Sequence, residues 1–340
     1  MGEGGGQVLR AALSLAVITG RAFRMERIRA GRSRPGLAAQ HLACVRAAAE
    51  ISGGRVSGDR AGSQELSFRP GKVRPGDFRF RVRTAGSAAL VAQTVALPLA
   101  LAEGDSSVSI AGGTHVAWSP SAGYLAGVWC RAIGAVGLHV VARTERAGYY
   151  PRGGGELSLA VRHSLHPVMP LDAVVRGALR GVRAALTVSR LPEKTARACR
   201  DSADALLKES GLFADWSSER LPASSPGIAL EIFADFGVIS VGFAALGERG
   251  KPAGRLAEGA AGALNSFLGS GAAVDMHLAD QLVVPLALAP GISRISTERV
   301  TGHLLTVAEV TRLFLPEAEI SIEGARGEPG IVQVRGRGAR

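Results

Sequence analysis

Residues 278–314 read LADQLVVPLALAPGISRISTERVTGHLLTVAEVTRLF. Residues 278–288 are apolar at three- and four-residue spacing, which predicts a helix, and Asp280 and Gln281 are its polar exceptions. Residues 294–297 alternate as a strand does. A polar turn then reaches Thr301-Gly302-His303, and residues 305–314 return to helical spacing. Strands at 319–322 and 330–335 close a unit of helix, strand, helix and two strands.

The same order occurs twice earlier in the chain. A helix at 8–19 leads to a strand at 23–28, the turn Gly31-Arg32-Ser33-Arg34-Pro35-Gly36, a helix at 37–51, and short strands at 55–57 and 64–68. A helix at 88–101 leads to a strand at 107–110, the turn Gly112-Gly113-Thr114, a helix at 121–133, and strands at 138–143 and 156–161. Repetition at this scale is a statement about architecture. Alternating helices and strands suit many α/β folds, but each unit also places its glycines and polar residues at the strand-to-helix turn. Helix N-termini there offer free N–H groups to anions.

Residues 174–267 break this rhythm with a strand, a helix at 192–210, a loop, strands at 228–233 and 238–244, and a helix at 255–268. The expected fold class is therefore α/β. Residues 1–173 and 268–340 form a large domain of three repeats, and 174–267 a small inserted domain.

The 340 residues are 46% hydrophobic, enough for a sizeable core. The formal charge is +11 and nearly all the basic residues are Arg, whose planar fork matches phosphate oxygens bidentately. Such a balance suits nucleic acid or nucleotide; it equally suits an Arg-rich composition spread over an ordinary surface. Cys44, Cys130 and Cys199 are far apart and fall in apolar helical patterns. They read as buried thiols in a reducing compartment, not as a zinc site or disulfide framework. The N-terminal segment lacks the basic start and cleavage site of a signal peptide. The longest apolar stretch, 88–102, is shorter than a bilayer span and carries Gln93. A soluble cytoplasmic protein is expected.

Five clusters carry potential chemistry. Gly2-Glu3-Gly4-Gly5-Gly6-Gln7 precedes a helix and lets backbone approach a ligand closely, but no Gly-Lys-Ser/Thr follows, so it is not a P-loop. Arg29-Ala30-Gly31-Arg32-Ser33-Arg34-Pro35-Gly36-Leu37 is either a phosphate clamp or a solvated basic loop. Tyr149-Tyr150-Pro151-Arg152-Gly153-Gly154-Gly155-Glu156 joins two strands, and a hairpin explains its glycines. Asp280 on an apolar helix costs several kcal/mol if buried without a partner. His303 opens the last helix, where capping, packing and catalysis are all open.

Taken in order, Glu-Gly-Gly-Gly-Gln, Arg-Ala-Gly-Arg-Ser-Arg-Pro-Gly-Leu with Gln40-His41-Leu42, Thr84-Ala-Gly-Ser, Tyr-Tyr-Pro-Arg-Gly-Gly-Gly-Glu, Gly247-Glu-Arg-Gly-Lys-Pro and Leu-Ala-Asp-Gln resemble the RNA 3′-terminal phosphate cyclase family over nearly the whole chain. The resemblance implies a large domain of three related units with a small insertion. It also implies ATP as co-substrate, Mg²⁺ or Mn²⁺, RNA 3′-phosphate ends as partners, and a homodimer. His303 matches the histidine that accepts AMP. Gln93, Pro120, His277, Asp280 and Gln281 fall where the family contacts the nucleotide. Arg10, Arg29 and Arg32 match phosphate-binding positions, and Glu3 is the candidate for supporting the cation. Two departures stand out. The chain begins inside the glycine motif, where members carry a preceding strand ending in Asp-Gly. Position 277 is His where many members have Tyr, which implies different contacts to the nucleotide. Non-catalytic cyclase-like ribosome-assembly proteins are the rival; they share the resemblance but lack the accepting histidine, so His303 with Asp280 and Gln281 argues for the enzyme. Enolpyruvyl-shikimate-phosphate-synthase-like transferases share the repeated unit but not these motifs.

Overall fold

The computed structural model describes residues 5–336. The first repeat is α1 (Gly6–Thr19), β1 (Phe23–Met25), α2 (Ala39–Ser52), β2 (Arg55–Ser57) and β3 (Leu66–Arg69). The second follows β4 (Asp77–Arg81) and comprises α3 (Ala88–Ala100), β5 (Ser106–Gly112), a helix of three pieces, β6 (Val140–Arg146) and β7 (Gly155–Val161). The three pieces are α4 (Ala122–Tyr124), a π turn (Leu125–Trp129) and α5 (Cys130–Ala135).

After β8 (Asp172–Ala173) come β9 (Gly181–Ser189), α6 (Glu193–Glu209), β10 (Ala214–Arg220), β11 (Gly227–Asp235), β12 (Ser240–Leu246) and α7 (Gly254–Ser270). The third repeat is α8 (Met276–Leu288), β13 (Gly291–Thr297), α9 (Gly302–Phe314), β14 (Glu319–Glu323) and β15 (Gly330–Gly336).

Pairing repeats as well as order. In every repeat the strand between the helices runs antiparallel to the last strand, which also pairs antiparallel with the middle one: β1-β3-β2, β5-β7-β6 and β13-β15-β14. The second and third sheets gain a parallel fourth strand, β4 and β8. The segment between the second and third repeats has its own sheet, β10-β9-β11-β12. Helices α1, α2, α3, α8 and α9 pack against one another at the centre. Their apolar faces, including Leu13, Val91, Leu282 and Val307, belong to one continuous buried core.

Local sequence explains most boundaries. Ser87, Ser121, Asp275 and Thr301 each cap a helix by accepting a backbone N–H in its first turn. α1 begins at Gly5 and Gly6 with no side-chain cap, so its first N–H groups stay available. Arg27 and Arg29 adopt left-handed φ of 56° and 54°, which is why β1 stops at Met25 instead of continuing to 28. Strands β4, β8 and β10 are additions to the sequence-based expectation. β8 is two residues long, and β10 is a largely exposed edge strand, so neither carries an apolar period. No helix among the described residues is long and apolar enough to cross a membrane.

Candidate active site

Equivalent positions in the three repeats supply the site. Arg10 and Asp280 are each the fifth residue of their helices α1 and α8, and Gln93 and Gln281 are each the sixth of α3 and α8. Because these helices pack together, residues from three stretches remote in sequence converge. Gln93 Nε2 donates to Gln281 Oε1 at 2.8 Å. His303 lies in the first turn of α9, which packs on α8, and its Nδ1 is 3.7 Å from Asp280 Oδ2. The imidazole is 53% exposed while Asp280 is 8% exposed, so the carboxylate backs the ring from the protein side.

That carboxylate is electrostatically expensive. Burial raises the Asp280 pKa to about 7; the Arg10 guanidinium pulls it down, and the negative charge of Asp275 pushes it up. Arg10 is itself half-buried, with its guanidinium donating to Gln7 Oε1. Burial lowers its pKa, and Asp280 is among the charges that hold it up.

The other side of Arg10 is a basic cradle. Burial and then the charges of Arg10 and Arg29 push His41 down to about 3, so this ring stays neutral. Its Nδ1 accepts the backbone N–H of Ala38, and its Nε2 stands where it would overlap a Cβ on Gly6. Only glycine fits there. Arg29 Nη1 donates to Gly36 O at 2.9 Å, which fixes its side chain across the turn. The exposed Arg32 reaches back toward Gly5, with Nη2 4.0 Å from a Cβ position there. Arg10, Arg29, Arg32 and the uncapped start of α1 thus surround one space suited to an anion.

At the start of α8, Asp275 Oδ1 accepts from Tyr124 Oη at 2.8 Å and from the backbone N–H groups of His277 and Leu278 at 3.0 Å. Asp275 Oδ2 is buried with no hydrogen-bond partner among the described residues, and burial raises this carboxyl's pKa. His277 is exposed and occupies the same α8 face as Asp280 and Gln281, three and four residues on. Pro120 is half-buried and directly precedes Ser121, the cap of the helix that carries Tyr124. Glu3 lies outside the described residues.

The structure therefore brings together His303, Asp280, Gln281, Gln93 and Arg10, with Arg29 and Arg32 on the far side of Arg10. His277 and Pro120 border the group through the Tyr124–Asp275 contact. Sequence reasoning passed over Asp275, Tyr124 and the role of His41. The only local hint was an Asp three residues before the helical run that starts at 278, a capping signal.

Residues 1–322 match the family model described as RNA 3′-terminal phosphate cyclase. The chain belongs to that family. Proteins named RNA 3′-terminal phosphate cyclase from Desulfurococcus amylolyticus and Methylococcus capsulatus are 39% and 43% identical to it. The first aligns over 99% of this chain and 97% of its own length, the second over 99% and 95%. A third of that name, from Archaeoglobus fulgidus, is 41% identical over 95% of this chain and 96% of its own. The crystal structure of the enolpyruvyl transferase NikO from Streptomyces tendae aligns with a TM-score of 0.36 at 11% identity, covering 100% of this chain and 48% of that one.

Proposed function

We propose that this cyclase-family chain converts an RNA 3′-phosphate to a 2′,3′-cyclic phosphate, using ATP and a covalent histidine–AMP intermediate on His303. The observation that supports it best is the half-exposed imidazole backed at Nδ1 by a buried carboxyl, beside a space rimmed by arginines. Nδ1 is turned to Asp280, and Nε2 is assigned as the nucleophile.

In the first step Nε2 attacks the α-phosphorus of ATP. A P–N bond forms, the bond to the bridging oxygen breaks, and pyrophosphate leaves. Arg10, Arg29 and Arg32 with the start of α1 compensate the phosphate charge. Pro120 and His277 flank the nucleoside, and the Gln93–Gln281 pair braces the two helices beneath it. An oxygen of the RNA 3′-phosphate then attacks the same phosphorus and releases the imidazole, which leaves an adenylylated 3′-end. The ribose 2′-hydroxyl attacks the terminal phosphorus, loses its proton and expels AMP. Ring closure is fast because the nucleophile is held one carbon away.

A divalent cation, Mg²⁺ or Mn²⁺, would accompany the triphosphate and screen its charge. Its candidate ligand Glu3 is outside the described residues, and no group of three or more His, Cys, Asp or Glu among the described residues is arranged to hold a metal.

The test is incubation with α-labelled ATP and divalent metal, followed by denaturing electrophoresis. An acid-labile, alkali-stable adduct that His303→Ala abolishes is the expected result. Absence of any adduct with intact protein would overturn the proposal in favour of a non-catalytic family member.

A further inference from the structure

Beyond the nucleotide site, the second repeat presents two aromatic side chains to solvent. Trp118 is 100% exposed and Tyr150 is 80% exposed. The protein's other tryptophans behave differently: Trp129 is buried, and Trp216 lies half-buried beneath Arg200. Trp118 also has φ of 63°, a left-handed backbone that is unusual for a bulky residue. Thr84, with φ of 103°, is a second outlier, in the loop that packs against Gly153. Exposed indole and strained backbone at one residue are both unfavourable, and such strain gathers where a ligand is bound.

These residues lie on three loops that are fastened to one another. Gly148 O accepts the backbone N–H groups of Thr114 and His115, and Thr114 Oγ1 accepts that of Gly148. The His115 ring stacks on Tyr149 at 5.3 Å between centroids. Gly153 sits so close to Thr84 and Ala85 that a Cβ would lie 2.8 Å from their backbone. The cluster thus holds Trp118, Tyr150, Arg83 and Arg152 on neighbouring loops. Both arginines are exposed, and no carboxylate among the described residues pairs with either.

The cluster also adjoins both edges of the candidate site. Trp118 is two residues from Pro120. The 84–87 turn is tied to α2 by the Ser87 N–H donating to Gln40 Oε1, next to His41. Exposed π-faces alternating with unpaired cations suit a single nucleic-acid strand, whose bases stack while its phosphates seek charge.

We infer that Trp118 and Tyr150 are stacking platforms for the bases next to the RNA 3′-end, with Arg83 and Arg152 holding the phosphates between them. This rests on the cyclase function proposed above. It places the incoming strand across the second repeat and not along the inserted segment.

The test measures binding of a fluorescent 3′-phosphorylated oligoribonucleotide without ATP, so it does not depend on any chemistry at His303. Trp118→Ala and Tyr150→Ala are each expected to weaken binding roughly 5- to 150-fold, the span of one lost base stack. Replacing Arg83 and Arg152 together by Ala should flatten the slope of log affinity against log salt by about 1.4. Indole fluorescence should be quenched by the RNA, and Trp118→Phe should remove most of the quench while keeping affinity near that of the parent.

Unchanged affinity and salt slope in these variants, with thermal melting intact, would overturn the inference. Loss of the labelled ATP adduct in Trp118→Ala at unchanged RNA affinity would also overturn it, and would move the indole to the adenine. If the intact protein forms no adduct at all, the catalytic proposal fails while this binding measurement still gives its own answer.

Discussion

Replacing Asp280 by Asn tests the electrostatics at the centre of the site. In the folded chain burial moves this carboxyl to about 7, from 3.8 for an unperturbed group. Between those values the native state holds a proton that the unfolded chain has released. Stability therefore falls as pH rises through this window, and the penalty is fully present above about pH 7. Each tenfold change in proton affinity corresponds to about 1.4 kcal/mol, so the whole penalty is about 4 kcal/mol. About 3 kcal/mol of it develops between pH 5 and pH 8. Asn keeps the shape and cannot ionise. Urea unfolding of the ligand-free wild type and Asp280→Asn at pH 5 and pH 8 gives a difference in which the other titrating groups largely cancel. The variant should gain about 3 kcal/mol relative to wild type across that interval, although it loses the carboxyl behind His303 and should form the ATP adduct more slowly. A difference in stability that stays flat with pH would refute the picture of a buried carboxyl that titrates near pH 7 behind the imidazole.

Three further outcomes are expected. Gly6→Ala would drive a Cβ into the His41 ring; it should cost about 1–3 kcal/mol in denaturant unfolding and abolish adduct formation by displacing the Arg10–His41–Arg29 cradle. Tyr124→Phe removes the hydroxyl that donates to Asp275 Oδ1, beside an oxygen with no partner among the described residues. It should cost about 1–3 kcal/mol, as read by urea titration, because it leaves a buried carboxyl with one hydrogen bond fewer. Thr301→Ala deletes the cap that holds the first turn of α9 and should cost about 1 kcal/mol with slower adduct formation, whereas Thr301→Ser should restore both.

Much of the architecture was legible locally. The helices of the three repeats follow from apolar spacing, because that signal acts over a few residues; the caps at Ser87, Ser121, Asp275 and Thr301 emerged with the structure. The glycines at 5 and 6 and the arginines at 29 and 32 marked the turns where an anion could sit. β4, β8 and β10 were not foreseen. Sheet edges and two-residue strands depend on a partner strand far away in sequence, and their own residues need not be apolar.

The chemistry of the site belongs to the tertiary level. No spacing rule places Arg10, Gln93, Asp280 and His303 together; helix packing does, by overlaying equivalent positions of different repeats. Neither the exposure of Trp118 nor the protonation of His41 is written in its local sequence. The folded chain leaves the indole in solvent and keeps the imidazole neutral between two guanidinium groups. Burial and the distance between charges decide both outcomes, and those quantities exist only once the repeats have packed.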